Sequence, residues 1–274
     1  MRVLVLGSGS SGNCLVVEAE GERLVIDAGM GPTRATERMR LLGADLVTSR
    51  APLGLFVTHD HGDHSAHAMQ LARALRMPIW THDGVKFDRA RAKARKQVDI
   101  RSYVPGQPVT VGPFVVDTLP LPHDAPQVAL RVGVGGASGR RFAIATDLGH
   151  APRGLSAMLA SSDLAMLEAN YCPRMLETGP YPLHLKRRVG GAMGHLANED
   201  AAEVAAGLEG TRLARLVLVH LSRTNNTPER ALAVVAGRVK RLAVEVLPHG
   251  MARGFEVVAG AGAGMKGAEQ LGLF

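Results

Sequence analysis

Three histidines and two aspartates fall within six positions in His59-Asp60-His61-Gly62-Asp63-His64, directly after an apolar run. Imidazole nitrogens and carboxylate oxygens are donors that Zn, Mn and Fe accept, and a catalytic site built from them keeps a position open for water. Side chains alternate faces along a strand, so His59 and His61 point the same way, and a turn then brings Asp63 and His64 round. One loop supplies only part of a two-metal site, so further donors are expected at distant strand ends. Three places fit: His123 ends the run 114–122, Asp147 follows the strand 142–145, and His220 ends the apolar strand 216–219. Loops at the ends of buried strands are where chemistry is commonly carried. His67, just beyond the cluster, reads as an ordinary surface histidine.

These residues need a framework of strands. Residues 3–6, 14–18 and 24–26 are short β-rich pieces separated by Gly7-Ser8-Gly9-Ser10-Ser11-Gly12 and Gly21-Glu22, which predicts an antiparallel start. The Gly/Ser stretch has no Walker lysine and no GxGxxG opening a helix, so it reads as a flexible turn. Helices are expected over 33–42, 66–75, 86–96, 198–208 and 228–242. Further strands are expected over 55–58, 78–80, 109–111, 114–119, 128–132, 142–145, 164–167, 213–219 and 244–247. Strands in batches punctuated by helices imply sheets with helices outside.

The 274 residues show no linker or repeat, so one domain over 1–258 is expected, with a mobile Gly/Ala-rich tail over 259–274. At 46% hydrophobic and 21% charged, the chain can bury a sizeable core and is not globally disordered. No run approaches the roughly 18 apolar residues of a membrane span, and the first apolar stretch is too short for a signal peptide. Two cysteines, Cys14 and Cys172, build no disulfide framework. No membrane partner is expected, and the chain reads as cytoplasmic. Its net charge of +7 favours polyanionic partners such as nucleic acid. The densest basic run, Lys86, Arg89, Arg91, Lys93, Arg95 and Lys96, reads as a solvated helix face ahead of a duplex contact.

The pattern resembles the metallo-β-lactamase superfamily, whose first metal motif is HxHxDH, here His59 to His64. Within it the chain looks like the WalJ/YycJ group of bacterial nucleases, related to tRNase Z and RNase J. The resemblance runs over about 2–255. It is carried also by Gly7 to Asn13, Ile26-Asp27-Ala28-Gly29, Gly179-Pro180-Tyr181-Pro182, Gly194-His195-Leu196 and His220 to Asn226. It implies an α+β fold, a four-layer αββα sandwich with metals at one edge between the sheets.

Carried over residue by residue, the resemblance implies two divalent cations, Zn in the first place and Mn or Fe as alternatives. His59, His61 and His123 would hold one, Asp63, His64 and His220 the other, with Asp147 bridging and Asp27 a buried carboxylate below the site. A hydroxide between the cations would attack a phosphoryl or acyl centre. His195 is the expected proton donor, Glu168 its orienting partner, and Asp63 belongs to the catalytic set through its metal. Amides free at the helix start after His195 would favour phosphate. Lys186, with Arg187 and Arg188, and Arg223, Asn225 and Asn226 are the substrate-holding candidates. The chain departs from the group at Cys172, where an acidic residue is expected, and at Ala197, where serine is usual.

The expected activity is a metal-dependent phosphodiesterase, an exonuclease on DNA in preference to RNA. A metallo-hydrolase of a small thioester, lactone or β-lactam is the second reading. A DNA-binding regulatory module with a vestigial site is the third. The oligomeric state is left open.

Overall fold

A computed structural model of the protein describes residues 1–47, 51–86 and 98–260. The first sheet comprises β1 (Arg2–Gly7), β2 (Cys14–Ala19), β3 (Glu22–Ile26), β4 (Leu55–Phe56), β5 (Ile79–Thr81), β6 (Ile100–Ser102) and the late strand β14 (Arg253–Glu256). Its spatial order is β14-β1-β2-β3-β4-β5-β6. The second comprises β7 (Val109–Val111), β8 (Phe114–Leu121), β9 (Gln127–Val134), β10 (Arg140–Ala145), β11 (Leu164–Glu168), β12 (Arg215–Val219) and β13 (Ala243–Val246). Its strands run in order from β13 to β7. The helices are α1 (Pro32–Leu41), α2 (Gly62–Ser65), α3 (Ala68–Leu75), α4 (Leu155–Ala160), α5 (Pro173–Thr178), α6 (Leu183–Val189), α7 (Asn198–Ala206) and α8 (Pro228–Ala236).

The alternation of side chains along each strand creates four layers. On β1, Val3 and Val5 enter the core between the sheets, while Leu4 and Leu6 pack outward with Ala35, Met39 and Leu71 of α1 and α3. On β12, Val217 and Val219 share the central core, while Leu216 and Leu218 pack outward with Leu155, Ala201 and Val235 of α4, α7 and α8. Strands buried on both faces read as continuous apolar runs, which is why their sequences show little polar alternation. The result is the expected αββα sandwich, and β1, β2 and β3 are antiparallel as their spacing predicts.

Topology gathers the chemistry at one edge. β10, β11 and β12 are mutually parallel, and β8 reaches the same direction through two antiparallel pairings across β9. The loops bearing His123, Asp147 and His220 therefore leave the second sheet at its same edge, beside Glu168 at the end of β11.

Several boundaries differ from the sequence reading, each for a local reason. β4 stops at Phe56 because the Thr58 N–H donates to the Asp27 carboxylate, 2.8 Å away, in place of a strand partner. The helix expected over 66–75 starts at Ala68 as α3, after the separate short helix α2, with the His67 N–H turned to the Ala28 carbonyl. The helix expected to reach residue 242 ends at Ala236, capped by Gly237. β6, β14, α4, α5 and α6 were not expected; each is at most seven residues long, too short for a clear period.

The Gly/Ser stretch after β1 is a packed element rather than a flexible turn. Gly9 has φ +95° and lies against His249, where a Cβ would come within 2.5 Å of Nδ1. The Gly9 N–H donates to Asn13 Oδ1 at 2.7 Å and the Gly12 N–H to the Gly9 carbonyl at 2.9 Å. The helix expected over 86–96 lies, beyond Lys86, outside the described residues, as does the tail beyond residue 260. Among the described residues no helix is long and apolar enough to cross a membrane.

Candidate metal centre

The loop after β4 is fastened from below. Asp27, buried at the end of β3, accepts from the Thr58 hydroxyl and from His64 Nδ1–H, the latter at 2.7 Å. Gly29 lets the loop approach: a Cβ there would sit 1.8 Å from the Asp63 carbonyl. Asp27, Asp147 and His220 all hold φ between 58° and 59°, a region that side chains other than glycine enter at a cost. Such strain persists where surrounding contacts over-determine it, and here it sits on three of the residues singled out from the sequence.

Those residues converge. Potential ligand atoms of His59, His61 and His123 lie within 4.8 Å of one another, as do those of Asp63, His64 and His220, and those of His59, His64 and Asp147. The outer ring nitrogens are already engaged. His59 Nδ1 meets the Thr58 hydroxyl at 3.1 Å, His123 Nδ1–H donates to the Gly194 carbonyl at 3.1 Å, and His220 Nδ1–H donates to Glu168 Oε1 at 2.8 Å. His61 Nε2 lies 3.2 Å from Asp124 Oδ1. A carboxylate or carbonyl on one ring nitrogen places the proton there and leaves the other nitrogen's lone pair facing inward.

Buried polar atoms without a partner mark what the arrangement suits. His59 Nε2, His220 Nε2 and Asp147 Oδ2 have no hydrogen bond, although all are buried. Asp147 Oδ2 stands 3.0 Å from His64 Nε2 without hydrogen-bond geometry, and His220 Nε2 stands 3.6 Å from both Asp63 and Asp147. Orphans converging on one volume, with imidazole and carboxylate donors and no thiolate, fit divalent cations.

The electrostatics agree. Burial opposes ionisation of Asp147, yet His220 and His64 hold its carboxyl well below the usual range. Burial likewise opposes charge on His64, but Asp147 and Asp27 outweigh it and push the imidazolium pKa up to about 10. His59 moves the other way, lowered first by burial and then by His64. Positive charge is thus drawn to the carboxylate side of the cluster, the role a cation would take.

The cluster opens into a cleft of about 440 Å³ lined by Asp63, His195, Arg188, Arg223, Tyr181 and Ser10, among others. His195 is no part of the inward-facing donor set. Its Nδ1–H donates to Glu168 Oε1 at 2.8 Å, the same oxygen that serves His220, while Glu168 Oε2 accepts the Leu148 and Leu196 amides at 3.0 and 3.2 Å. Burial opposes charge on His195, but Glu168 raises its pKa above the ordinary value. Although Glu168 approaches Asp147, His195 and His220 closely enough to form a metal-like group, its two oxygens are consumed by these four N–H donors, so it orients side chains.

The substrate-holding candidates divide. Arg223 is exposed in the cleft. Lys186 is turned away and donates through Nζ to the Glu177 carbonyl, whereas Arg188, two residues on, lines the cleft with Nε donating to Asp124 Oδ2 at 2.7 Å. Asn225 is fully buried, held by its backbone, which accepts from the Cys172 N–H and donates to Ser222 Oγ, and Asn226 is buried with its amide donating to the Ala169 and Asn170 carbonyls, so neither side chain is exposed in the cleft. The start of α7 is also no phosphate site, because the Asn198 N–H donates to the Tyr171 carbonyl and Glu199 and Asp200 occupy the first turn. Sequence reasoning passed over Ser10, Asn13, Tyr181 and Ser222, all of which border the site.

Two facing sheets flanked by helices, with this donor set at one edge, define a metallo-β-lactamase-type protein. A family model described as "Beta-lactamase superfamily domain" matches residues 22–221, and the chain belongs to that superfamily. It is 30% identical over 228 residues to "Exodeoxyribonuclease YycJ" of Bacillus anthracis, covering 83% of this chain and 84% of that protein. It is 29% identical over 231 residues to "Exodeoxyribonuclease WalJ" of Streptococcus pneumoniae, with the same coverage of 83% and 84%. Among solved structures it shares the fold of human tRNase Z, short form, at TM-score 0.65 and 20% identity, covering 92% of this chain and 98% of that one. The metallo-β-lactamase fold protein YhfI from Bacillus subtilis matches at TM-score 0.66 and 17% identity, covering 93% and 98%.

Proposed function

We propose that the protein is a metal-dependent phosphodiesterase that removes nucleotides from the ends of nucleic acid, DNA in preference to RNA. The observation carrying this reading is the convergence of seven inward donors, three of their atoms unpartnered, in a cleft that also holds a non-ligand His195 braced by Glu168. The similarity to two bacterial exodeoxyribonucleases supports an exonuclease on DNA.

His59, His61 and His123 would hold one cation, Asp63, His64 and His220 the other, and Asp147 would reach both. Zn is the first choice, with Mn and Fe compatible with the same donors. Bound there, a pair of divalent cations supplies a hydroxide-strength nucleophile near neutral pH and neutralises charge on the phosphoryl group.

The side chains then divide the remaining work. His195, with Nδ1–H donating to Glu168, presents Nε2 to the cleft and donates its proton to the departing oxygen, leaving a 5′-phosphate and a 3′-hydroxyl. Arg188 and Arg223 hold backbone phosphates. Asp124 fixes Arg188 by its Nε, leaving the two terminal nitrogens for a phosphate. The two buried, unpaired thiols suit a reducing cytoplasm.

End-labelled single- and double-stranded DNA and RNA, assayed with Zn, Mn and Fe beside chromogenic esters, test the reading. Progressive shortening of DNA is expected. Ester turnover with inert nucleic acid would overturn it.

A further inference from the structure

Aromatic side chains are few, and among the described residues nearly all serve packing. Phe56, Phe114, Phe142, Phe255 and Tyr103 lie in the core between the sheets, and Tyr171 is buried in a small cluster with Leu176 of α5 and Val189 of α6. Trp80 stacks on Phe56 and carries the Arg101 guanidinium over its ring. Among the described residues, Tyr181 is the one Phe, Trp or Tyr that lines the cleft of about 440 Å³. It is half-buried, packed with Leu185 against the Leu176 and Val189 cluster. Pro180 and Pro182 flank it. Proline fixes its own φ and confines the residue before it to extended backbone, so Tyr181 is held in place before α6 begins at Leu183, with two side-chain torsions to order. Arg188 and Val189, from the last turn of α6, line the same cleft. An accessible aromatic face and a guanidinium suited to phosphate thus come from one helix and its entry. Together they are the parts that hold single-stranded nucleic acid: the cation follows the backbone and the ring stacks on a base whatever its identity.

Resting on the phosphodiesterase reading above, we propose that Tyr181 is the stacking platform for an unpaired nucleobase next to the scissile phosphate. His195 and Asp63 line the cleft with Tyr181, so a phosphate brought to them carries one of its two flanking nucleotides to the ring. A base stacked there has left its partner strand. The cleft has the volume of a small-ligand pocket, which admits a nucleotide and no duplex. The substrate end is therefore single-stranded, frayed or mismatched, and its sequence matters little because every base has a π-face. Tyr181 transfers no proton; it binds.

The test pairs a change in the ring with a change in the base. Full-length protein in EDTA is titrated, by fluorescence anisotropy, against single-stranded DNA oligonucleotides that are intact or carry one abasic site at the terminal or penultimate position of either end. The parent should bind one abasic form about 5-fold or more weaker than the intact strand, the factor of one stacked base. Tyr181→Leu keeps apolar bulk against Val189 and removes the π-face. It should weaken the intact strand by a similar factor and be indifferent to that abasic site, and Tyr181→Phe, which keeps the ring, should restore the parental pattern. With metal-loaded parent, a duplex with a mismatched terminal pair should be shortened faster than the same duplex fully paired. Abasic forms all bound as tightly as the intact strand, a Tyr181→Leu loss that adds in full to every abasic loss, or equal shortening of paired and mismatched ends would overturn the proposal. If thermal melting shows that Tyr181→Leu does not fold, Tyr181→Met takes its place with the same outcomes. A parent that neither binds nor shortens any oligonucleotide would instead remove the phosphodiesterase reading, and this inference with it.

Discussion

Glu168→Gln keeps the shape of a fully buried side chain and removes its charge. Four donors now converge on the carboxylate: His195 Nδ1 and His220 Nδ1 on Oε1, each at 2.8 Å, and the Leu148 and Leu196 amides on Oε2 at 3.0 and 3.2 Å. A carboxamide has only one acceptor oxygen. If that oxygen serves the imidazoles, its NH₂ faces two backbone N–H groups. If it serves the amides, the NH₂ forces both rings to carry their protons on Nε2, which blocks the His220 lone pair turned toward the centre. Two buried conflicts at roughly 1–3 kcal/mol each total about 2–6 kcal/mol, or about 30-fold to 2 × 10⁴-fold in kcat/KM. A pH profile adds a second readout. Glu168 raises the His195 pKa, and the donor must be protonated, so the alkaline limb of the variant should move to lower pH. Hydrolysis of an end-labelled oligonucleotide by metal-loaded parent and variant measures both. A variant within about threefold of the parent, with an unshifted profile, would refute the assigned role of Glu168.

Arg188→Ala and Arg223→Gln should each weaken DNA binding in EDTA and lower its salt slope by about 1, read by fluorescence anisotropy, while hydrolysis of a small phosphodiester stays near the parental rate. Ala197→Ser should stabilise the protein by about 1 kcal/mol in denaturant melts, because Ala197 stands at the N-cap of α7 with no side-chain cap. The chelated protein should lose stability on alkalinisation. His64 is raised from 6.5 to about 10 on folding, so its contribution is complete below about pH 6.5 and fades as pH rises toward 10. Asp63 and Asp147 are held below their ordinary values, so theirs fades as pH falls through the acid range. Melting temperature against pH in EDTA should therefore peak in the mildly acidic region, and a maximum above pH 9 would contradict this.

The HxHxDH cluster was legible because its donors are adjacent in sequence. His123, Asp147 and His220 were legible because each ends an apolar strand, and the sandwich brings those ends to one edge. The sequence offers Lys186, Arg187 and Arg188 together and does not separate them without α6; at about 100° per residue, positions two apart face nearly opposite ways, so Arg188 lines the cleft and Lys186 does not. Asn225 and Asn226 carry polar side chains that the sequence cannot distinguish from cleft residues, and only packing shows that they are buried. The Gly/Ser loop looked pliant because its composition hides its partners: Asn13 meets a residue 50 positions away, and Ser8 accepts the His220 N–H across 212. Contacts of that range follow from the tertiary fold and leave no local period.

Anomalous diffraction from a crystal of the protein soaked in Mn²⁺ or Zn²⁺ addresses the centre directly. Two peaks roughly 3.5–4 Å apart are predicted, one bounded by His59, His61 and His123 and one by Asp63, His64 and His220, with Asp147 reaching both and Glu168 and His195 reaching neither. No peak at this edge of the sandwich, or a peak held by Glu168 and His195, would contradict the account.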